Sequence, residues 1–341
     1  MRVPAPRGPL SRDLFAHLAG APQGVPSATD LDPCGGDATV RDDDEQIALW
    51  VLFELHYTGL DDVDPAREWD PDLIALRNVL SARLERALRL LTACEIRRFP
   101  SHYTDFADSL LRYIDSFDGP SPARYLRNHA VVSDVREMLV LRSIYTLKEA
   151  DPHTWVIPRL VGPAKAALAA VQYDEYGAGR PGRLHSSMFA SAMRAAGLDP
   201  TTGAYIDTVP AVTLANANML SLFGLHRRLR GCAMGHLAAF EATSSLPARD
   251  TAAGLERIGL SGCMPYFEEH VEADAVHEQV ASRLICGDLV TQDPGLAADI
   301  VFGAASCLVM DAVAGQHALD RWQAGRSALH ERGTWTRAEA L

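Results

Sequence analysis

Basic residues are scarce in this 341-residue chain, with 32 Lys and Arg against 44 Asp and Glu, so the formal charge is −12. Such an acidic surface gives no electrostatic reason to hold nucleic acid or an anionic membrane. No apolar run approaches the ~20 residues of a membrane-spanning helix, so no membrane partner is expected. The six cysteines are scattered, with no C-x-x-C pair. That argues against a disulfide framework and against a zinc–cysteine site. Met1–Arg12 is basic and Pro-rich but has no apolar stretch behind it, so it is not read as a secretory signal, and a cytoplasmic protein is expected. Nor is there an alternating strand pattern, an internal repeat, a low-complexity segment or a shift in composition.

What is present is helical text. Hydrophobic residues make up 48% and charged residues 22%, an ordinary globular composition with enough apolar material for a sizeable core. Residues 1–42, rich in Pro and Gly, read as a flexible segment with a short helix around Leu10–Ala19. From Asp43 an acidic helix start leads into Ile47, Trp50, Val51 and Leu55 at helical spacing. Further helices are expected over 71–94, 104–117, 121–128, 131–149, 157–174, 184–196, 206–224, 226–244, 248–258, 266–286, 291–315 and 317–329, separated by breakers such as Pro247. The expectation is an all-α bundle: one domain over 43–341, with N-terminal accessory helices.

The sharpest chemical signal is His270-Val-Glu-Ala-Asp274-Ala-Val-His277. At ~100° per residue, positions +4 and +7 return to within roughly 40° of the start, so His270, Asp274 and His277 share a helix face. Two imidazoles and a carboxylate suit iron, manganese or zinc. Val276, Val280 and Leu284 flank that face and suggest a helix inside a bundle. Glu241 lies in small, apolar text, where a buried carboxylate must be paired or bind a metal; a bond to Thr243, Ser244 or an arginine is the alternative. Glu175 and His185 are separated by a stretch containing Gly177, Gly179, Pro181 and Gly182. That break lets the chain bring both side chains to one place; an ordinary loop is the alternative. Three carboxylates and three imidazoles would suit two metals in a helical bundle, without the Glu-x-x-His repeat of ferritin-like proteins.

This set resembles the haem-oxygenase-like dimetal oxidases, the iron-containing redox enzymes. Glu175 and His185 match that family's first pair, Glu241 its middle carboxylate, and His270, Asp274 and His277 its last three ligands. The wide E-x9-H spacing is similar to that of the amino-acid- and amine-oxidising subset. The segment Leu147–Pro158 matches as well, and Glu149 stands where some amine-oxidising members carry an additional ligand; a plain helix-end residue is the alternative. The resemblance runs from about residue 45 to about 320.

It implies a haem-oxygenase-like helical bundle holding two Fe(II) ions, O2 as co-substrate and an external reductant. The implied reaction oxidises a free amino acid or small amine in specialised metabolism. Two chemistries are open: N-oxygenation, and C–H abstraction leading to desaturation or C–N ring closure such as azetidine formation. Arginine is the natural clamp for a substrate carboxylate. Arg183 and Arg283 are the candidates nearest the motifs, with Tyr176 as a lining residue. Arg227, Arg228 and Arg230 form a further basic cluster. His153 and His236 are read as non-ligands. A homodimer and an electron-donor partner are compatible with the sequence, which demands neither. A haem-binding or haem-degrading protein, recognisable by Soret absorption, and a metal-free binding module are the competing classes.

Overall fold

The computed structural model describes residues 1–22, 24–26 and 35–330; the side chains of residues 272–275 lie outside that description. Every regular element among the described residues is helical. In chain order the α-helices are α1 (Pro9–Leu18), α2 (Gly36–Val40), α3 (Asp43–Glu54), α4 (Pro71–Ile96), α5 (Phe106–Asp115), α6 (Pro122–Asn128), α7 (Val132–Thr146), α8 (Asp151–Thr154), α9 (Gly162–Glu175), α10 (His185–Ala195), α11 (Ala211–Leu225), α12 (Arg230–Arg257), α13 (Met264–Gln279), α14 (Asp288–Gln292) and α15 (Leu296–Gln323). A π-helical stretch, Val280–Gly287, continues α13.

Local chemistry explains the starts of several helices. Asp42 accepts from the amides of Asp44 and Glu45 to cap α3, and Asp70 does the same for α4, which carries Pro at its first position. α11 is buried along nearly its whole length, from Ala211 to Gly224, and forms the centre of the bundle. α12 packs most extensively against α15 and α13.

Glycine sets the closeness of the α12–α15 crossing. A Cβ on Gly235 would lie 1.9 Å from the Ile300 carbonyl oxygen, and one on Gly303 would lie 2.0 Å from that of Cys232. Backbone meets backbone there, so no side chain can yield. Gly235→Ala is expected to lower stability by about 1–3 kcal/mol, the usual range for overpacking, read as a lower urea midpoint. Gly182→Ala, where a Cβ meets nothing within 4 Å, should leave that midpoint nearly unchanged.

Four sequence expectations need correction. Residues 1–42 are not loose throughout. Met1–Leu18 is docked, with Leu14 and Leu18 buried, the Met1 amino group on Asp61, the Ala5 amide on Asp207 and Arg7 on Asp43. Pro247 does not end a helix, because α12 runs unbroken through it. Around that point Thr243 and Ser244 hydroxyls donate back to the Ala239 and Phe240 carbonyls, and Ser245 donates to the Val271 carbonyl of α13. Packing of the following turns, where Gly254 sits against the Leu126 carbonyl, outweighs the proline. Likewise, the two helices expected over 291–329 are largely the single α15. This helix is long and apolar enough to cross a membrane by length and composition alone (mean hydropathy 1.8), yet 61% of that apolar window is buried inside the protein. Finally, Val276 and Leu284 are exposed; Tyr266, Phe267, Ala281 and Ile285 form the buried apolar face instead.

Asp43 ties both ends of the described chain together, accepting from Arg7 Nη1 at 2.8 Å and from His330 Nε2 at 2.8 Å. Burial alone would raise its pKa, but the His330 and Arg7 contacts override it and the net shift is downward. A depressed carboxylate stabilises the fold above its unfolded pKa and loses that contribution as pH falls through its folded pKa. Asp43→Asn should therefore cost about 1 kcal/mol at pH 7, discounted for a side chain 36% exposed, with the gap to the parent closing below about pH 4 in pH-dependent melts.

Candidate metal centre

Six buried side chains converge inside the bundle. They fall into two groups, Glu149–His185–His270 and Glu175–Glu241–His277, each with ligand atoms within 4.8 Å of one another. The groups adjoin, since His185 Nδ1 lies 2.9 Å from Glu175 Oε2.

Each side chain is delivered by a local device. Glu175 is the last residue of α9, and His185 is the first of α10. Between them Gly177, Ala178 and Gly179 adopt positive φ of 74°, 51° and 76° and reverse the chain. A Cβ on Gly177 would come within 2.7 Å of the Arg183–Leu184 peptide, so glycine is required for the return. Glu149 follows α7, and its neighbour Lys148 forms a buried ion pair with Glu54 of α3. Lys148 also lies 4.3 Å from the Tyr57 ring centroid, which fixes the turn that presents Glu149. Glu241 projects from α12. His270 and His277 sit two turns apart on one face of α13 and serve different groups. Asp274 lies between them on α13, and its side chain lies outside the described residues.

The imidazoles are oriented from behind, as ligand histidines are. His270 Nδ1 donates to the Tyr266 carbonyl at 2.7 Å, which turns Nε2 towards Glu149 Oε2 at 3.7 Å. His277 Nε2 lies 3.4 Å from Asp174, while Nδ1 faces Glu175 at 3.5 Å and Glu241 at 3.6 Å. The Tyr266 hydroxyl donates to Glu149 at 3.1 Å.

Electrostatically the cluster calls for positive charge. Glu175 and Glu241 share His277 in a buried space, and burial together with repulsion from Glu175 raises the Glu241 pKa despite His277. Burial would raise Glu175 too, but His185 and His277 hold it well below the usual carboxylate range. His277 is opposed by burial, yet the two carboxylates push its pKa up to about 11. His185 is likewise raised, mainly by Glu175 acting against burial. Neither His185 Nδ1 nor His277 Nδ1 makes a well-aligned hydrogen bond, although carboxylates face both. Buried imidazole nitrogens and carboxylates converging without good hydrogen-bond geometry are what a transition-metal pair requires.

Two voids adjoin the cluster. A small one of about 20 Å³, bordered by Glu149, Glu175, Glu241 and His270, has room for about one water-sized molecule. His153 also lines it. A larger cavity of about 420 Å³ extends outward, and Tyr145, Phe240 and His270 border both.

A family comparison decides what kind of protein this is. The model of the iron-containing redox enzymes matches residues 136–312, more than half of the chain. The chain belongs to the iron-containing redox enzyme family. As a member it is an oxidoreductase with a haem-oxygenase-like helical fold, and the match runs from within α7 through α14 and into α15. A comparison with curated proteins returns no match.

In this iron-containing redox enzyme the substrate residues expected from sequence lie elsewhere. Arg183 is exposed and paired with Glu269; Arg283 is paired with Asp108 at 2.7 Å. Tyr176 is turned towards Asp151 and Thr154. None of the three borders either void. Arg228 and Arg230 face Glu85 and Asp293. His153, expected in a loop, is buried in α8 beside His236 with ring centroids 5.4 Å apart, and burial pulls its pKa down to about 4. It is a neutral wall of the smaller void. Sequence reasoning missed Asp174 and Tyr266; Tyr266 lies four residues before His270, the spacing that puts its carbonyl behind the ring, whereas Asp174 reaches His277 from a different helix and had no local signal.

Proposed function

We propose that the protein is an O2-dependent, non-haem di-iron oxidoreductase of the cytoplasm that oxidises a free amino acid or small amine. The observation that carries this reading is the pair of adjoining carboxylate–imidazole trios, buried next to a cavity of ligand size. The proposal assigns Glu149, His185 and His270 to one iron, and Glu175, Glu241 and His277 to the other, with Asp274 as a further ligand. Three protein ligands per ion leave positions open, and the donor set suits iron. When bound, two ferrous ions supply electrons for O2 activation, and an external reductant restores them.

The chain's own contribution is positioning. The trios are held by rigid helices, with Tyr266 and Asp174 orienting His270 and His277. Phe240, Leu220 and Leu237 form the apolar side of the smaller void and limit bulk water around the reacting centre. Five free cysteines among the described residues fit a reducing compartment.

Aerobic incubation of the ferrous protein with pooled amino acids and amines, followed by untargeted mass spectrometry, tests the reading. A product heavier by oxygen identifies N-oxygenation; one lighter by two hydrogens identifies desaturation or ring closure. Iron-bound protein that consumes no O2 with any pool member contradicts the proposal.

A further inference from the structure

The larger cavity has a polarity of its own. It is walled by α7, α11, α12, α13 and α15, with the α5–α6 connection at its outer end. Most of its lining is apolar: Phe117, Leu126, Met138, Leu141, Phe267 and Trp322 contribute. Two side chains carry opposite charge into it, Arg142 and Asp311.

Arg142 makes no hydrogen bond or ion pair among the described residues, and its Nε is buried without a partner. Aromatic rings flank it, Tyr145 at 5.9 Å and Phe267 at 6.0 Å from the guanidinium carbon. Burial would lower its pKa, but Glu149 and Asp311 act on it through space without bonding to it, and the net shift is upward. A buried guanidinium whose donors meet no acceptor directly is left with unmade hydrogen bonds, and its place on the cavity wall points to an anionic occupant. Asp311 accepts from Asn216 Nδ2 at 2.8 Å and keeps an exposed face on the cavity. The surrounding protein still desolvates it enough to raise its pKa, against the Asn216 bond and Arg142, and a bound cation would relieve that.

The helices set the orientation. Trp322 Nε1 donates to Glu137 Oε2 at 2.8 Å, which joins α15 to α7 at the outer end. From that level Arg142 is roughly 7 Å inward along α7 and Asp311 roughly 16 Å inward along α15, at about 1.5 Å per residue. Both charges therefore lie inward of Trp322, with Met138 and Trp322 outside them and Phe267 level with Arg142. Arg142 and Tyr145 lie one turn apart near the end of α7, and the turn after it carries the metal-site carboxylate Glu149.

We propose that this cavity binds an α-amino acid with a bulky apolar side chain, its carboxylate on Arg142, its ammonium on Asp311 and its side chain directed outward towards Trp322. A plain fatty acid would satisfy Arg142 and lay methylene against Asp311. A plain amine would leave Arg142 unpaired. Only the zwitterion answers both charges. This orientation presents the head group, rather than the tip of the side chain, to the iron site. It rests on the oxidase reading for that consequence, but binding itself needs no turnover.

The test is calorimetric titration of the full-length chain, as purified and under argon, with L-phenylalanine, phenethylamine, 3-phenylpropionate and L-alanine. L-phenylalanine should bind at least tenfold more tightly than each of the other three. Arg142→Met should weaken L-phenylalanine and 3-phenylpropionate at least tenfold and leave phenethylamine unchanged. Asp311→Asn should weaken L-phenylalanine and phenethylamine and leave 3-phenylpropionate unchanged. The ligand each variant retains reports that it is folded. Equal affinity for L-phenylalanine and 3-phenylpropionate, no L-phenylalanine binding, or equal losses for all ligands in both variants would overturn the assignment. Intact selective binding, with no O2 uptake when the iron-loaded protein is given the pooled amino acids and amines in air, would overturn the oxidase reading and leave the cavity assignment standing.

Discussion

His270→Ala is expected to leave about one iron per chain instead of about two, and to cut substrate-dependent O2 uptake by roughly 100-fold or more. The reason is the division of labour on α13. His270 belongs with Glu149 and His185, whereas His277 belongs with Glu175 and Glu241. Each substitution removes one of three ligands from one ion and leaves the other group complete. His277→Ala should therefore give the same stoichiometry with the other site retained, and the double variant should bind almost no iron. Anaerobic ferrous titration with metal analysis reads all three. Circular dichroism separates lost ligation from lost folding, because His270 also packs its ring 4.2 Å from Tyr266 and 4.4 Å from His185 between centroids. Retention of two irons in either single variant would mean that the trios are misassigned.

Iron removal should also lower thermal stability substantially. A ligand that binds only the native state stabilises it by about 2.7 kcal/mol at a hundred times its dissociation constant. For two independent sites that corresponds to a fall in Tm of about 5–10 °C on chelation. The buried charges give the expectation a structural basis. Without a metal, Glu175 and Glu241 rely on His277 and His185 for positive charge. Differential scanning calorimetry of ferrous and stripped protein, with re-addition of iron, measures the effect. A stripped protein that melts at the same temperature would argue that the cluster is a self-sufficient ion-pair network.

The candidate site was legible in the sequence where chemistry and spacing coincide. The H-x3-D-x2-H stretch puts His270 and His277 on one face of any α-helix, and the glycines between Glu175 and His185 advertise a reversal. Glu149 was legible only through the family segment around it. The proposed substrate cavity was not legible, and the reason is geometric. Arg183 and Arg283 are close to the ligands in sequence, but they fall on outward faces and meet acidic partners there. Arg142 stands in unremarkable helical text, and its importance comes from α11, α12, α13 and α15 closing around it. Its one local signal is its place seven residues before Glu149, near the end of the helix that leads to it. The helix count failed where packing outweighs local preference: Pro247 reads as a breaker, but the turns after it are held by α6. His153 and His236 read as polar residues of a loop and a helix; only the folded chain shows that both are buried. The helical class itself followed from periodicity over most of the chain, which local spacing records well.

The most direct measurement is anomalous diffraction at the iron edge from crystals of the ferrous-loaded protein. Two peaks are predicted for each chain, one among Glu149, His185 and His270 and the other among Glu175, Glu241 and His277. A single peak, or peaks away from these six side chains, would contradict the account.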